Sequence, residues 1–307
     1  MGAPLLAALL RPGREAAVKD NTPRFGSAGI SDSFAVQGYK TSLDIPAYAA
    51  GMGLDAFEYQ CGHGVRLAES KARQMAARAA ELGVVFSVHA PYYISMSSLN
   101  EETRLGSIRH LLQSARLCRA LGGRRVIFHP GSCGKQSRAV ALEKAKDTLA
   151  RAIEALDEAG FADITLCPET MGKLGQLGDL EEVLALCGLD SRLVPCIDFG
   201  HLNARTLGGI RSKADYAAIL DRMADVLADE RAEKFHVHFS RIEFSEGGEK
   251  RHWTFAETQY GPEPAPLMEL LAERRLAPTI ICESAGTQAE DARTMAEIWR
   301  AALQNGG

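Results

Sequence analysis

At 307 residues, with 46% hydrophobic and 24% charged residues, the chain is too long for one sandwich or Rossmann half and of ordinary size for one α/β barrel. A net charge of −4 excludes a global basic field as the signature of a nucleic-acid partner, leaving only local positive charge for phosphate contacts. No run reaches transmembrane length, so no membrane partner is expected. The leucine-rich run at 5–10 is short and meets Arg11-Pro12-Gly13-Arg14 at once, unlike a signal peptide.

Residues 1–23 read as a tail or capping segment, and 24–307 as one α/β domain, a TIM-type (β/α)8 barrel. Strand-like runs rich in β-branched and aromatic residues fall in order at 25–29, 56–60, 84–89, 126–129, 164–169, 194–198, 235–239 and 279–283. Amphipathic helical stretches separate them. Asn100 precedes Glu101 and Glu102 as an N-cap with acids in the first turn; Leu105, Ile108, Leu111, Leu112 and Ala115 form one face, and Gly122-Gly123 ends the helix. Leu142, Ala145, Leu149, Ile153 and Leu156 repeat the pattern before Gly160, and Ala292, Met295, Ala296, Trp299 and Leu303 do so in the last helix. The seven cysteines, several of them inside apolar runs (Cys167, Cys196, Cys282) and none in CxxC spacing, read as free buried thiols of a cytoplasmic protein.

The ionisable residues cluster where strands end. Strands three to eight finish in His89, His129, Glu169, Asp198, the pair His236/His238, and Glu283. In a barrel these ends meet at one mouth. Singly, such a histidine is most often a satisfied polar residue and such a carboxylate a helix N-cap. Six on successive strands point to a metal site. Imidazoles mixed with carboxylates suit Zn2+, or Mn2+ and Fe2+ where oxygen dominates, and cations relieve the repulsion of assembled carboxylates. His201, three residues after Asp198, and His252, in a long loop after strand seven, extend the cluster. His110 is expected to be structural, and His63 has no obvious partner.

With Val88-His89-Ala90-Pro91-Tyr92, Phe128-His129-Pro130-Gly131-Ser132, Asp198-Phe199-Gly200-His201 and the Glu169 and Glu283 strand ends, the chain resembles the endonuclease IV (deoxyribonuclease IV) family of apurinic/apyrimidinic endonucleases, and more broadly the xylose-isomerase-like TIM barrels. The resemblance runs from about Phe25 to the last helix. It implies zinc at His89, His129 and Glu169; a second zinc, bridged by Glu169 and completed by Asp198, His236 and Glu283; and a third at His201 and His252. It implies catalysis through Glu169 and Glu283 on duplex DNA with abasic sites, Tyr92 and Tyr93 filling the gap in the duplex, and a monomer. Arg66 is placed to touch a phosphate, and Lys135, Lys173, Arg205, Lys250 and Arg251 offer further positive charge.

There are two departures. Lys250 stands where the family's third-zinc Asp would be, and an ammonium is no ligand while protonated; Glu249 substitutes only with a local shift, and otherwise the third metal is absent or weak. Phe25-Gly26-Ser27-Ala28-Gly29 lacks the family's strand-one His. The alternative function is a sugar isomerase or epimerase, with one metal on Glu169, Asp198, His236 and Glu283, His201 and Arg241 on sugar hydroxyls, and the two glutamates exchanging a proton with a small sugar substrate. The pair His89 and His129, which one metal does not need, favours the nuclease.

Overall fold

The computed structural model describes residues 21–305; most of the expected tail, residues 1–20, lies outside them. Eight parallel strands form the barrel: β1 (Arg24–Ala28), β2 (Ala56–Gln60), β3 (Val85–His89), β4 (Arg125–Phe128), β5 (Thr165–Pro168), β6 (Cys196–Asp198), β7 (His236–Phe239) and β10 (Thr279–Cys282). Between β7 and β10 lies a separate antiparallel hairpin, β8 (Arg241–Ser245) and β9 (Gly248–Trp253). The sheet runs β5-β4-β3-β2-β1-β10-β7-β6 and closes through a parallel bridge between Glu169 and Cys196, with Thr170 N donating to Cys196 O at 3.0 Å.

The long helices outside the barrel form for the reasons legible in their sequence. The helix Glu101–Ala120 is capped by Asn100, whose side chain accepts from Glu102 N at 2.8 Å, and buries Ile108, Leu111, Ala115 and Cys118 at three- and four-residue spacing. Leu105, expected on that face, is 37% exposed, so the buried stripe starts one turn later. Arg138–Glu158 buries Ala141, Ala145, Leu149, Ala152 and Leu156, and Gln288–Asn305 sets Trp299 against Phe25 at 5.9 Å between rings. Each fully buried Leu or Ile contributes roughly 1.5–3 kcal/mol, so the helical shell holds the barrel rigidly. All seven cysteines are free and buried. No helix among the described residues is long and apolar enough to cross a membrane.

Two tiers fill the upper barrel because alternate strand residues point inward. Register pairs Cys196 with His236 and, two residues on, Asp198 with His238. Ile127, Cys167 and Cys196 pack together in the lower tier. Above them on the same strands stand His129, Glu169 and Asp198. Further down, Arg125 reaches across to the carbonyl oxygens of Phe235 (3.0 Å) and Lys234, closing the opposite end.

Candidate metal centre

The buried carboxylate of Glu169 is the hub of the mouth. Its Oε2 lies 3.1 Å from His89 Nε2 and 3.2 Å from His129 Nε2, while Oε1 lies 3.0 Å from His238 Nδ1. Three donor groups fan out around it, the atoms of each within 4.8 Å of one another: His89, His129 and Glu169; Glu169, Asp198, His238 and Glu283; and His201, Glu249 and His252. Glu283, at the end of β10, spans the last two, 3.5 Å from His238 Nδ1 and 3.9 Å from His252 Nδ1.

These groups fit divalent cations on two grounds. Asp198 spends Oδ1 on the N–H of His201 (2.7 Å), and its buried Oδ2 accepts no aligned hydrogen bond, having only the charge contact with His201 Nδ1 at 3.3 Å, which leaves it open to a cation. The donor set itself, imidazole nitrogen and carboxylate oxygen, is that of zinc or manganese sites.

Protonation compensates where cations would sit. Burial disfavours a charged His89 ring, yet the Glu169 carboxylate outweighs it and holds the ring up to about 9. Burial would raise Glu169, but the His238, His129 and His201 rings hold it well below the usual carboxylate range, and His201 is in turn held well above 6.5 by Asp198 and Glu169 despite its burial. Asp198 is pushed up by burial. A ligand must give up its proton, so zinc uptake at pH 7–8 is expected to release at least one proton per chain from His89 alone. Affinity should then rise by about one decade per pH unit for that group and level off above about pH 9. A pH indicator in weakly buffered solution measures the release; uptake with no proton released would contradict the assignment.

The third group depends on a β-bulge. The register runs Glu243 opposite Arg251, then Phe244 opposite Glu249, so Lys250 is an extra residue without a partner. In a regular strand Glu249 and His252, three apart, face opposite sides. The bulge puts them on one side. Lys250 turns outward, its Nζ 2.8 Å from Glu243 Oε1, and Glu249 Oε2 lies 3.5 Å from His201 Nε2. The hairpin also crosses the loop after β5 at Gly172, where a Cβ would stand 2.6 Å from Glu249 Cβ and 3.1 Å from His201 Cδ2, and at Gly248 (φ 94°), where one would meet Gly172 O at 2.2 Å.

One expected role is corrected. His236 does not reach the mouth: it sits in the lower tier opposite Cys196, donates to Glu58 Oε2 at 3.0 Å, and is held down to about 4 by burial. His238, one tier up, takes the place expected for it beside Asp198, Glu169 and Glu283. Arg241 is buried, with Nη1 donating to Tyr260 O (2.9 Å) and Nη2 to Glu263 Oε2 (2.6 Å), while its Nε has no hydrogen-bond partner. The remaining expected ligands, His89, His129, Glu169, Asp198, His201, His252 and Glu283, are brought together. His236 does belong, with Cys196 and His238, to a fully buried triplet of donors beneath the mouth.

Tyr92 and Tyr93 stand exposed on the rim directly after β3, packed edge-on against each other, with His63 against Tyr92 and His110 against Tyr93. Of the rim cations, Arg66, Lys135 and Lys173 are exposed with no side-chain partner among the described residues. Arg205 is consumed by the carbonyls of Met171 and Lys173 (3.0 Å each), and Lys250 and Arg251 both pair with Glu243. Glu58 is the residue sequence reasoning missed. A charged side chain between Phe57 and Tyr59 in an otherwise apolar strand is its one sequence signal.

The chain matches the xylose isomerase-like TIM barrel family over residues 46–303. It is 33% identical over 260 residues to an uncharacterised protein of Methanocaldococcus jannaschii, covering 85% of this chain and 91% of that one. A protein named "Probable endonuclease 4" from Malacoplasma penetrans is 34% identical over 121 residues, 38% of this chain and 40% of its own. Among solved structures, endonuclease IV from Thermus thermophilus superposes with a TM-score of 0.66 at 21% identity, covering 92% of this chain and all of that one. A D-tagatose 3-epimerase-like protein superposes at 0.67 with 19% identity, covering 92% and 98%. At such identities the structural likeness speaks for the fold, and with the family match it leads to one conclusion: this chain belongs to the xylose isomerase-like TIM barrel family.

Proposed function

We propose that the protein is a metal-dependent phosphodiesterase that incises duplex DNA at abasic or otherwise damaged sites. The observation that carries this is the pair His89 and His129, which gather with Glu169 into a second donor group and lie beyond the four donors that a single-ion enzyme needs. The three groups would hold divalent ions, which would supply positive charge for the phosphate oxygens and acidify water. Water attacks phosphorus and the P–O3′ bond breaks; the departing 3′ oxygen takes a proton from solvent, leaving a 3′-hydroxyl and a 5′-phosphate. Glu283, half-buried between two groups, orients the attacking water and accepts its proton. Tyr92 and Tyr93 stack in the duplex gap left by the extruded sugar. A nucleotide without a base costs less to flip than an intact one, which supplies selectivity. Arg66, Lys135 and Lys173 contact backbone phosphates.

With three free rim cations, log affinity should fall with log salt at a slope of about −2.7, a loss of roughly 40-fold between 0.05 and 0.2 M. Lys173→Ala should flatten that slope by about one unit in a fluorescence-anisotropy titration. A flat salt response would remove duplex DNA as the partner.

A second reading, a sugar epimerase, rests on the group Glu169, Asp198, His238 and Glu283, which suffices for one ion between two glutamates. Its expected sugar contact Arg241 is held by Tyr260 O and Glu263 Oε2 and keeps an unpartnered Nε. The deciding assay offers the purified protein a duplex oligonucleotide with one abasic site, with and without chelator, beside a ketose. Chelator-sensitive incision supports the nuclease; epimerised ketose without incision supports the alternative.

A further inference from the structure

We propose that Glu58, deep in the barrel on β2, is the positioning residue that sets His238 as an Nδ1 ligand and thereby holds the ion of the Asp198 group. This rests on the metal-cluster reading above. Three histidines at the mouth spend Nδ1 on a neighbouring oxygen, leaving Nε2 for the site: His89 on Ala90 O (2.8 Å), His201 on Thr170 O (2.9 Å) and His252 on Ser240 Oγ (2.8 Å). His129 likewise turns Nε2 towards Glu169. His238 is reversed. Its Nδ1 faces Glu169 Oε1 and Glu283 Oε1, and its Nε2 points down the barrel axis to within 3.0 Å of Glu58 Oε1.

A neutral imidazole that offers Nδ1 to a cation must carry its proton on Nε2. Here that N–H is fully buried and Glu58 is its carboxylate neighbour, in a charge contact not aligned as a full hydrogen bond. The opposite tautomer would set an Nε2 lone pair against a carboxylate oxygen. Glu58 is itself fixed: Oε2 accepts from Ser87 Oγ at 2.9 Å and from His236 Nε2 at 3.0 Å, and Oε1 accepts from Gln60 Nε2 at 3.2 Å. His236, which does not reach the mouth, thus contributes by holding the carboxylate that holds His238. A carboxylate behind a ligating histidine fixes its tautomer and ring orientation and makes it a stronger donor.

The test uses the full chain labelled with 15N-histidine and loaded with Zn2+. Long-range 15N–1H correlation should show one zinc-bound ring, absent in His238→Asn, that carries its proton on Nε2 while the others carry it on Nδ1. Competition with a chromophoric chelator should then strip one zinc per chain from Glu58→Leu at about 10- to 100-fold lower chelator concentration, the rest leaving as in the wild type. Glu58→Gln, which keeps the volume and an oxygen for Nε2–H, should recover most of that loss and guards against a failure to fold. Wild-type retention in both variants, or zinc on His238 Nε2, overturns the role of Glu58 while leaving the metal cluster standing. A wild-type chain that binds no zinc overturns the cluster and this inference with it.

Discussion

Replacing Glu169 with glutamine is expected to lower incision by about 10³-fold or more, the loss of several kcal/mol of transition-state charge stabilisation at 1.36 kcal/mol per decade. This carboxylate contacts four histidines from four different elements, through both its oxygens. It belongs to two of the three groups, so an amide there, neutral and with one donor end, weakens both at once. Single-turnover rates on an abasic duplex measure the effect, and elemental analysis should show at least one ion lost. His129→Ala belongs beside it, because His129 serves only the group that an epimerase does not need. It should match the Glu169 variant in lost incision, whereas under the epimerase reading it leaves turnover of a ketose largely intact.

Gly172→Ala is expected to remove one ion per chain and to lower incision by about 10²-fold, the order of losing one preorganised charge at the reaction centre. The added Cβ would stand 2.6 Å from Glu249 Cβ and 3.0 Å from Glu249 Oε2, with His201 Cδ2 at 3.1 Å. Glu249 is pinned by the bulge at Lys250 and by its own N–H on Gly172 O at 3.2 Å, so the hairpin must lift away as a unit. The barrel strands are untouched, so far-UV circular dichroism should not change. An alanine variant with its full complement of metal would show that the third group is not a site.

All eight barrel strands and three of the long helices, Glu101–Ala120, Arg138–Glu158 and Gln288–Asn305, were legible in the sequence, because hydrophobic period and turn residues are local signals. The strand ends agree to within one or two residues. What escaped was set by pairing between strands. The choice between His236 and His238 depends on register against β6, where Asp198 pairs with His238, and both histidines carry the same inward parity. The hairpin β8–β9 reads as a loop in sequence because its second strand, Glu249-Lys250-Arg251, is charged. Those charges suit a solvent-facing strand, paired as Lys250 and Arg251 are with Glu243. At Lys250 the sequence leaves open whether Glu249 substitutes by a local shift or the third group is lost; one extra residue, absorbed as a bulge, supplies that shift and brings Glu249 to face His201. Glu58 carries no strand-end signal, because it lies in mid-strand. Its meaning comes from His236, 178 positions away in the chain, and from His238 just beyond.

The most direct measurement is the number of divalent ions per chain in the purified protein, by elemental analysis with anomalous diffraction to locate them. Three ions are expected, at His89/His129/Glu169, Glu169/Asp198/His238/Glu283 and His201/Glu249/His252. A chain that holds at most one, or ions bound anywhere but this mouth, would contradict the account.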